Sequence, residues 1–515
     1  MIVVIHDQQK VTQLLIDEQE ITTFNGERVT AVVPKLLVQY PDDLLVWCHQ
    51  SAKDNVAWTS LPELFDLDRK MLSYIPNTNF FSEAIGYIED STSIKVNKKV
   101  TFPTWQMSSY VGGISTAVLA KVDISIWKRD NFDYALNSIA KIYQSEGLFC
   151  YSEPKLLLHP NEITHLDQFQ TNFDSLFYFV KEHYKAIWTF ILFFNLLVYE
   201  RKITLGSWVK TFFIKKKTFS KTLVFNTIDS NTVDTSQATI DVIIPTIGRK
   251  KYLHDVLKDL SVQTHLPKNV IIVEQNPNSD SNSELDYLTT EQWPFQIKHV
   301  FTHQTGACQA RNKALDLLES NWCFFADDDI RFSKELLKET LTSAYQLKSE
   351  VLSLSCLRVN DIKTMKTITQ WSAFGSGCSV VKSSVIKDLK FNKVYEFGFG
   401  EDTDFGMQIR NKGYDVIYLP EPSITHLKAP MGGFRTKPVL EWHSETITPK
   451  PSPTVMLFLL MHKTKQQLYG YKTILFFKYY KVQSIKNPLT YYKMFQKQWQ
   501  MSMKWAKILE SRYEI

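Results

Sequence analysis

The sequence predicts an α/β protein of two domains, the second built on a mostly parallel sheet, with a helical tail behind it. Three observations carry this expectation. At 515 residues the chain exceeds what one ordinary hydrophobic core accommodates. Between about residues 239 and 426, short apolar runs alternate with helical periodicity, the pattern of strands joined by crossover helices. Beyond Lys450-Pro451-Ser452-Pro453 the sequence turns helical, aromatic and basic.

The elements follow in order. Met1–Asp7 reads as a first strand and lacks the basic start and long apolar core of a signal peptide, so a cytoplasmic protein is expected. Ile240–Ile244 is an apolar run expected to end at Pro245, hence a buried strand. Lys251–Gln263 sets Leu253, Val256, Leu257 and Leu260 on one helical face. Val270–Glu274, Gln296–Phe301 and Trp322–Ala326 read as further strands, and Ala307–Glu319 as the helix before the last of them. Ligands of such a sheet sit beyond the carboxyl ends of its strands.

Composition narrows the classes. Hydrophobic residues make up 44% and charged residues 22%, which are globular values. A net charge of +5 is too small to argue for nucleic acid, and no nucleic-acid partner is expected. Six cysteines without a CxxC pair suit a reducing compartment.

The expected boundaries are an N-terminal α/β domain over 1–165, an apolar and basic helical segment over 166–225 and a polar linker over 226–238. A catalytic domain over 239–450 and a basic tail over 451–515 complete the chain. Ala186–Tyr199 is almost continuously apolar but shorter than the ~20 residues of a spanning helix. It reads either as a buried helix between domains or as a helix lying in a membrane interface. In the second case Lys210, Lys215, Lys216 and Lys217 would meet anionic headgroups, with Trp188 and Trp208 at the boundary. The lysine-rich tail fits peripheral membrane contact, though a solvated helical face has the same composition.

Two acidic clusters carry the chemistry. Asp327-Asp328-Asp329 follow a strand directly; adjacent carboxylates repel, and a divalent cation with a taste for oxygen, Mg²⁺ or Mn²⁺, is the natural compensation. The plainer alternative is a solvated acidic turn before a helix capped at Ser333. Phe397-Gly398-Phe399-Gly400-Glu401-Asp402 is a glycine-hinged loop running into a helix. Its first turn favours ionised carboxylates, and one of them facing a hydroxyl can act as a general base. Plain N-capping would explain one acidic residue better than a pair.

With these residues in view, the chain resembles glycosyltransferase family 2. The resemblance rests on Val242–Arg249, Ile272-Val273-Glu274, Gly306 through Ala310-Arg311-Asn312, Phe325–Asp329 and Gly400-Glu401-Asp402, in that order, over about Thr239–His426. It implies the GT-A fold, inverting transfer from a nucleoside-diphosphate sugar, and a Mn²⁺ or Mg²⁺ cofactor. It further implies that Pro245, Thr246, Arg249, Glu274, Arg311, Asp327 and Asp328 hold the nucleotide sugar, with Trp371, Gly375 and Gly377 close to the sugar. Asp329, Asp327 and His426 are the implied metal ligands, Asp402 the acceptor base and Glu401 the fallback base. Where the family usually has Asp-Asp after the second strand, this chain has Glu274-Gln275, which leaves the nucleotide open.

The first half echoes the second. Leu44–Gln50 stands where a strand would deliver an acidic triplet, and Trp105 with Gly112-Gly113 is similar to Trp371 with Gly375 and Gly377. Gly147, Tyr151, Glu153-Pro154 and His159 are similar to Gly413, Tyr418, Glu421-Pro422 and His426. This half is expected to be a degenerate GT-A-like domain or an unrelated α/β domain, and catalytically silent either way. The whole is expected to glycosylate a glycan or lipid-linked acceptor at the inner face of the membrane, in cell-surface polysaccharide synthesis. A sugar-nucleotide nucleotidyltransferase is disfavoured, because no glycine-rich basic loop follows Ile244. A carbohydrate-binding pseudoenzyme or scaffold remains the non-enzymatic alternative.

Overall fold

The structure, a computed structural model, describes residues 1–513 except 77, 161–169, 217, 221–222, 226–232 and 431–438. Most of the expected linker, Lys217 and Glu514 therefore lie outside the described residues. The chain divides into two compact units, 1–226 with 463–479, and 227–462 with 480–515.

The first unit holds an eight-stranded sheet. Its strands are β1 (Ile2–Asp7), β2 (Lys10–Ile16), β3 (Gln19–Glu20), β4 (Leu44–His49), β5 (Lys70–Tyr74), β6 (Phe102–Pro103), β7 (Val111–Ser115) and β8 (Phe149–Ser152). In space they run β3-β2-β1-β4-β7-β5-β8-β6. The second unit holds β9 (Ile240–Ile247), β10 (Asn269–Gln275), β11 (Gln296–Thr302), β12 (Trp322–Ala326), β13 (Ile330–Phe332), β14 (Val351–Arg358), β15 (Thr369–Gln370), β16 (Cys378–Lys382) and β17 (Ile417–His426). Their order is β11-β10-β9-β12-β16-β14-β17-β13, with β15 beside β17.

The second sheet is parallel across β11, β10, β9 and β12, and again between β14 and β17. Around β16 it is antiparallel, so the sheet as a whole is mixed. Strand β9 runs on through Pro245 to Ile247 instead of ending at the proline. Its pairing with β12 stops at Ile243, so Pro245 sits where one edge carries no ladder and a missing N–H is tolerated. The Lys250–Ser261 helix buries Leu253, Val256, Leu257 and Leu260, the expected face. The helix after Gly306 is shorter than expected, ending at Leu315.

Five strands of each sheet have the same order, sense and chain sequence. β1-β4-β7-β5-β8 and β9-β12-β16-β14-β17 both run parallel, antiparallel, antiparallel, parallel. In each unit a helix precedes the last of the five, Phe132–Tyr143 or Glu401–Asn411. A left-handed glycine follows each helix, Gly147 at φ 98° and Gly413 at φ 94°. The second residue of each helix is an aspartate near a serine two positions before the third strand. Asp133 accepts from the Ser109 N–H and hydroxyl at 2.7 and 2.8 Å, and the Ser376 hydroxyl and N–H stand close enough to Asp402 to lower its carboxyl. The units are thus alike through these five strands. They differ beside the first strand, where β10 and β11 join β9 through parallel crossovers but β2 folds back on β1 as an antiparallel hairpin.

This alignment corrects one pairing expected from sequence. Gly112 and Gly113 lie inside β7, beyond the serine, and do not correspond to Gly375 and Gly377. Gly112 serves packing, since a Cβ there would stand 2.5 Å from Trp47.

The tail is helical, at Pro453–His462, Lys465–Val482 and Pro488–Glu510. No described helix is long and apolar enough to cross a membrane.

Candidate active site

Parallel strands β9 and β12 deliver their carboxyl ends side by side, which puts Thr246 and the Asp327–Asp329 turn together. The three aspartates then separate. Asp328 turns into the protein, where it accepts from the Thr246 hydroxyl at 2.7 Å and from Arg249 at 2.5 Å. Burial pushes its carboxyl up to about 6, against Arg249 and Thr246.

Asp329, itself buried, and the half-buried Asp327 come together with His426. One donor atom from each of the three lies within 4.8 Å of the others. His426 arrives because β13, immediately after the triplet, pairs antiparallel with β17 and sets Ile330 opposite His426. Its Nε2 lies 3.2 Å from Asp329 Oδ1, while Asp329 Oδ2 accepts from the Ala429 N–H at 2.8 Å. Burial alone would raise the Asp329 carboxyl, but His426, the Ala429 N–H and Arg249 together hold it below its ordinary value. The same contact raises the imidazole of His426 against burial. Two carboxylates and an imidazole form a donor set that fits a divalent cation.

Asp402 and Glu401 occupy the first turn of the Glu401–Asn411 helix, entered through Gly400 at φ 117°. Burial raises the Asp402 carboxyl, opposed by Arg311 and by the Ser376 hydroxyl and N–H. Its Oδ1 is buried without a hydrogen-bond partner, a lone pair left for a donor from outside the protein. Burial and then Asp402 push Glu401 up to about 7. Arg311 links the two acidic clusters. It lies over the Phe391 ring, reaches Asp327 at 3.4 Å and is held in its cationic form by the charges of Asp327 and Asp402, which outweigh its burial.

Gly377 is fixed by this geometry, because a Cβ there would lie 2.1 Å from an Asp327 oxygen. Gly375 packs instead against Cys378. Trp371 packs edge-on against Tyr418, with its carbonyl accepting from Arg410. Glu274 lies opposite Thr246 in the β9–β10 register. Its carboxylate already accepts from Ser283 at 2.6 Å and the Glu284 N–H at 3.0 Å, and pairs with His299 at 2.9 Å. Pro245 lies between β9 residues that reach the turn.

Two contributors carry no signal in the acidic patterns. Glu396 caps the Ala307–Leu315 helix, accepting from the Cys308 and Gln309 N–H groups at 3.1 Å. Ser376 holds Asp402; its place among small residues near Gly375 marked close approach but not a hydrogen bond.

Residues 241–393 match the family model for Glycosyl transferase family 2. That stretch of the chain is therefore similar to family 2 glycosyltransferases. No curated protein matches it. Among solved structures, one described as "S. aureus TarS 1-349" aligns at 21% identity over 37% of this chain and 60% of that one, with a TM-score of 0.31. Its complex with UDP-GlcNAc aligns at 19% identity over 45% and 70%, with a TM-score of 0.35. The longer S. aureus TarS aligns at 17% over 46% and 42%, with a TM-score of 0.33. Likeness this low carries no conclusion about this chain.

Proposed function

We propose that the protein is a metal-dependent inverting glycosyltransferase. It moves a sugar from a nucleoside-diphosphate sugar to a glycan or lipid-linked acceptor in cell-surface polysaccharide synthesis. The observation that carries the reading is the approach of Asp327, Asp329 and His426 to within 4.8 Å beside the Asp402 helix. Asp329, Asp327 and His426 would hold Mn²⁺ or Mg²⁺, whose charge stabilises a departing diphosphate. Thr246 and Arg249 border the nucleotide side, with Asp328 holding Arg249 in place. Arg311 orients phosphate or sugar oxygens through its fixed guanidinium. Asp402 takes the proton of the acceptor hydroxyl as that oxygen attacks the anomeric carbon from the face opposite the leaving group. A thermal-shift screen of nucleoside-diphosphate sugars with and without Mn²⁺ tests this, since ligand binding raises apparent stability. A nucleotide sugar should stabilise the protein only with the cation. Failure of every donor would favour the scaffold reading.

Contact with the inner membrane face is proposed from the first unit. Phe212 and Phe213 are 62% and 86% exposed, and Ile187, Ile203 and Leu205 are also exposed. Exposed Arg201, Lys202, Lys210, Lys215 and Lys216 lie among them in the chain, the pairing of apolar and basic groups that anionic lipid attracts.

A further inference from the structure

The first unit keeps a cleft where the second has its acceptor side. The pairing of parallel strands β5 and β8 ends at Ser73 and Ser152, which face each other in register. The segment Thr104–Ser108 leads into β7 as the Trp371–Gly377 segment leads into β16. Between these ends lies a cavity of about 80 Å³, room for roughly two or three waters or one phosphate group.

Its walls are one-sided. Lys98, Lys99, Gln106, Asn79 and Thr104 line it with Tyr74, and none of its described lining residues is acidic. Neither lysine makes an ion pair among the described residues. Lys98 is an exposed residue, yet protein around its ammonium lowers the pKa, with Glu83 only partly opposing. Gln106 Oε1 is buried with no hydrogen-bond partner. Ammonium groups short of an anion and a carbonyl short of a donor ask for one ligand that supplies both.

What surrounds the cavity sets its role. Asp133 and Ser109 preserve the aspartate–serine pair of the active unit. The last position of β4 and the two after it, however, are His49-Gln50-Ser51. His49 Nε2 is turned to Asp7 at 3.2 Å and its Nδ1 to Ser51 at 2.7 Å, so this ring serves the turn itself. The antiparallel β1–β2 hairpin replaces the crossovers that flank the donor side of the second sheet. The donor side is lost and the acceptor side retained.

We propose that this cavity is a non-catalytic binding site for a phosphorylated carbohydrate. The phosphate sits between Lys98 and Lys99, and a ligand hydroxyl donates to Gln106 Oε1. Two sources share that chemistry, a terminal phosphate monoester and an internal phosphodiester of a glycan chain. Calorimetry on the full chain, in phosphate-free buffer without divalent cations, tests the site with glucose 6-phosphate, a diglucosyl phosphodiester, inorganic phosphate and glucose. Binding of either ester, weaker inorganic phosphate and no glucose is expected. A tighter monoester assigns a terminal phosphate, and a tighter diester assigns an internal one. The Lys98→Ala/Lys99→Ala variant should lose about tenfold or more in affinity, the scale of charge-assisted hydrogen bonds. Gln106→Glu, which adds a negative charge at nearly unchanged volume, should abolish binding. Asp329→Ala, in the other unit, should leave it unchanged. Absence of ester binding, or equal affinity in the lysine variant at an unchanged melting temperature, overturns the proposal. Loss of binding in Asp329→Ala would assign the ligand to the active site and overturn it as well.

Discussion

His462 Nε2 lies 2.7 Å from Asp404 Oδ1, inside the second unit. The Tyr513 hydroxyl reaches the same oxygen at 2.7 Å, and Gln408 donates to the other at 2.9 Å. Asp404 is wholly buried in the helix that carries Asp402 and Glu401 two and three residues earlier. The C-terminal segments thus fix the helix proposed to hold the base. His462→Ala leaves a buried carboxylate short of a partner and should cost about 3 kcal/mol or more of unfolding free energy. Tyr513→Phe removes one of several donors and should cost less, about 1.5 kcal/mol. Urea denaturation measures both; an unchanged midpoint for His462→Ala would deny the pair any stabilising role.

Asp329→Ala should eliminate cation-dependent binding of a nucleoside-diphosphate sugar while the fold persists. In calorimetry on the full chain no second cation-dependent site should remain, because His49-Gln50-Ser51 replace the acidic turn in the first unit. Wild-type affinity in this variant would dismiss the metal assignment. Residual cation-dependent binding would dismiss a silent first unit.

Asp402→Asn keeps shape but cannot take a proton, so donor binding should stay near normal while turnover falls roughly 10²–10⁴-fold. If Glu401→Gln shows that loss and Asp402→Asn does not, the two roles exchange.

The raised carboxyls give a pH signature. Glu401 moves from an ordinary 4.5 to about 7, so the folded state holds its proton more tightly than the unfolded chain. Its contribution to stability is complete below 4.5 and is lost as pH rises through about 7. Glu401→Gln should flatten the stability profile across that window and raise stability at neutral pH. Melting temperatures across the window decide it, and an unaltered slope would contradict the shift. Activity should rise with pH through the same region as the carboxyl pair loses its protons.

Phe212→Ser with Phe213→Ser should reduce sedimentation with vesicles containing anionic lipid while leaving the melting temperature unchanged, as both rings are exposed. Equal sedimentation would remove these rings from the membrane surface.

Local patterning made much of this protein legible. Apolar runs located β9, β10 and β12, because strands buried on both faces carry continuous apolar sequence. The acidic triplet and the glycine-hinged Glu401-Asp402 loop stood out because charges at strand and helix ends need a partner. Which partner each charge takes depends on pairings between distant segments. The sequence names three equal aspartates; folding sends Asp328 to Arg249 and leaves Asp329 to His426 through the β13–β17 register. Ser376, Glu396 and His462 have no local signature, because their hydrogen bonds join residues brought together only when the sheet closes. The echo between the halves could be read from scattered residues, but its register could not. That register was decided by strand order and by the Asp133–Ser109 contact, which no spacing in the chain displays.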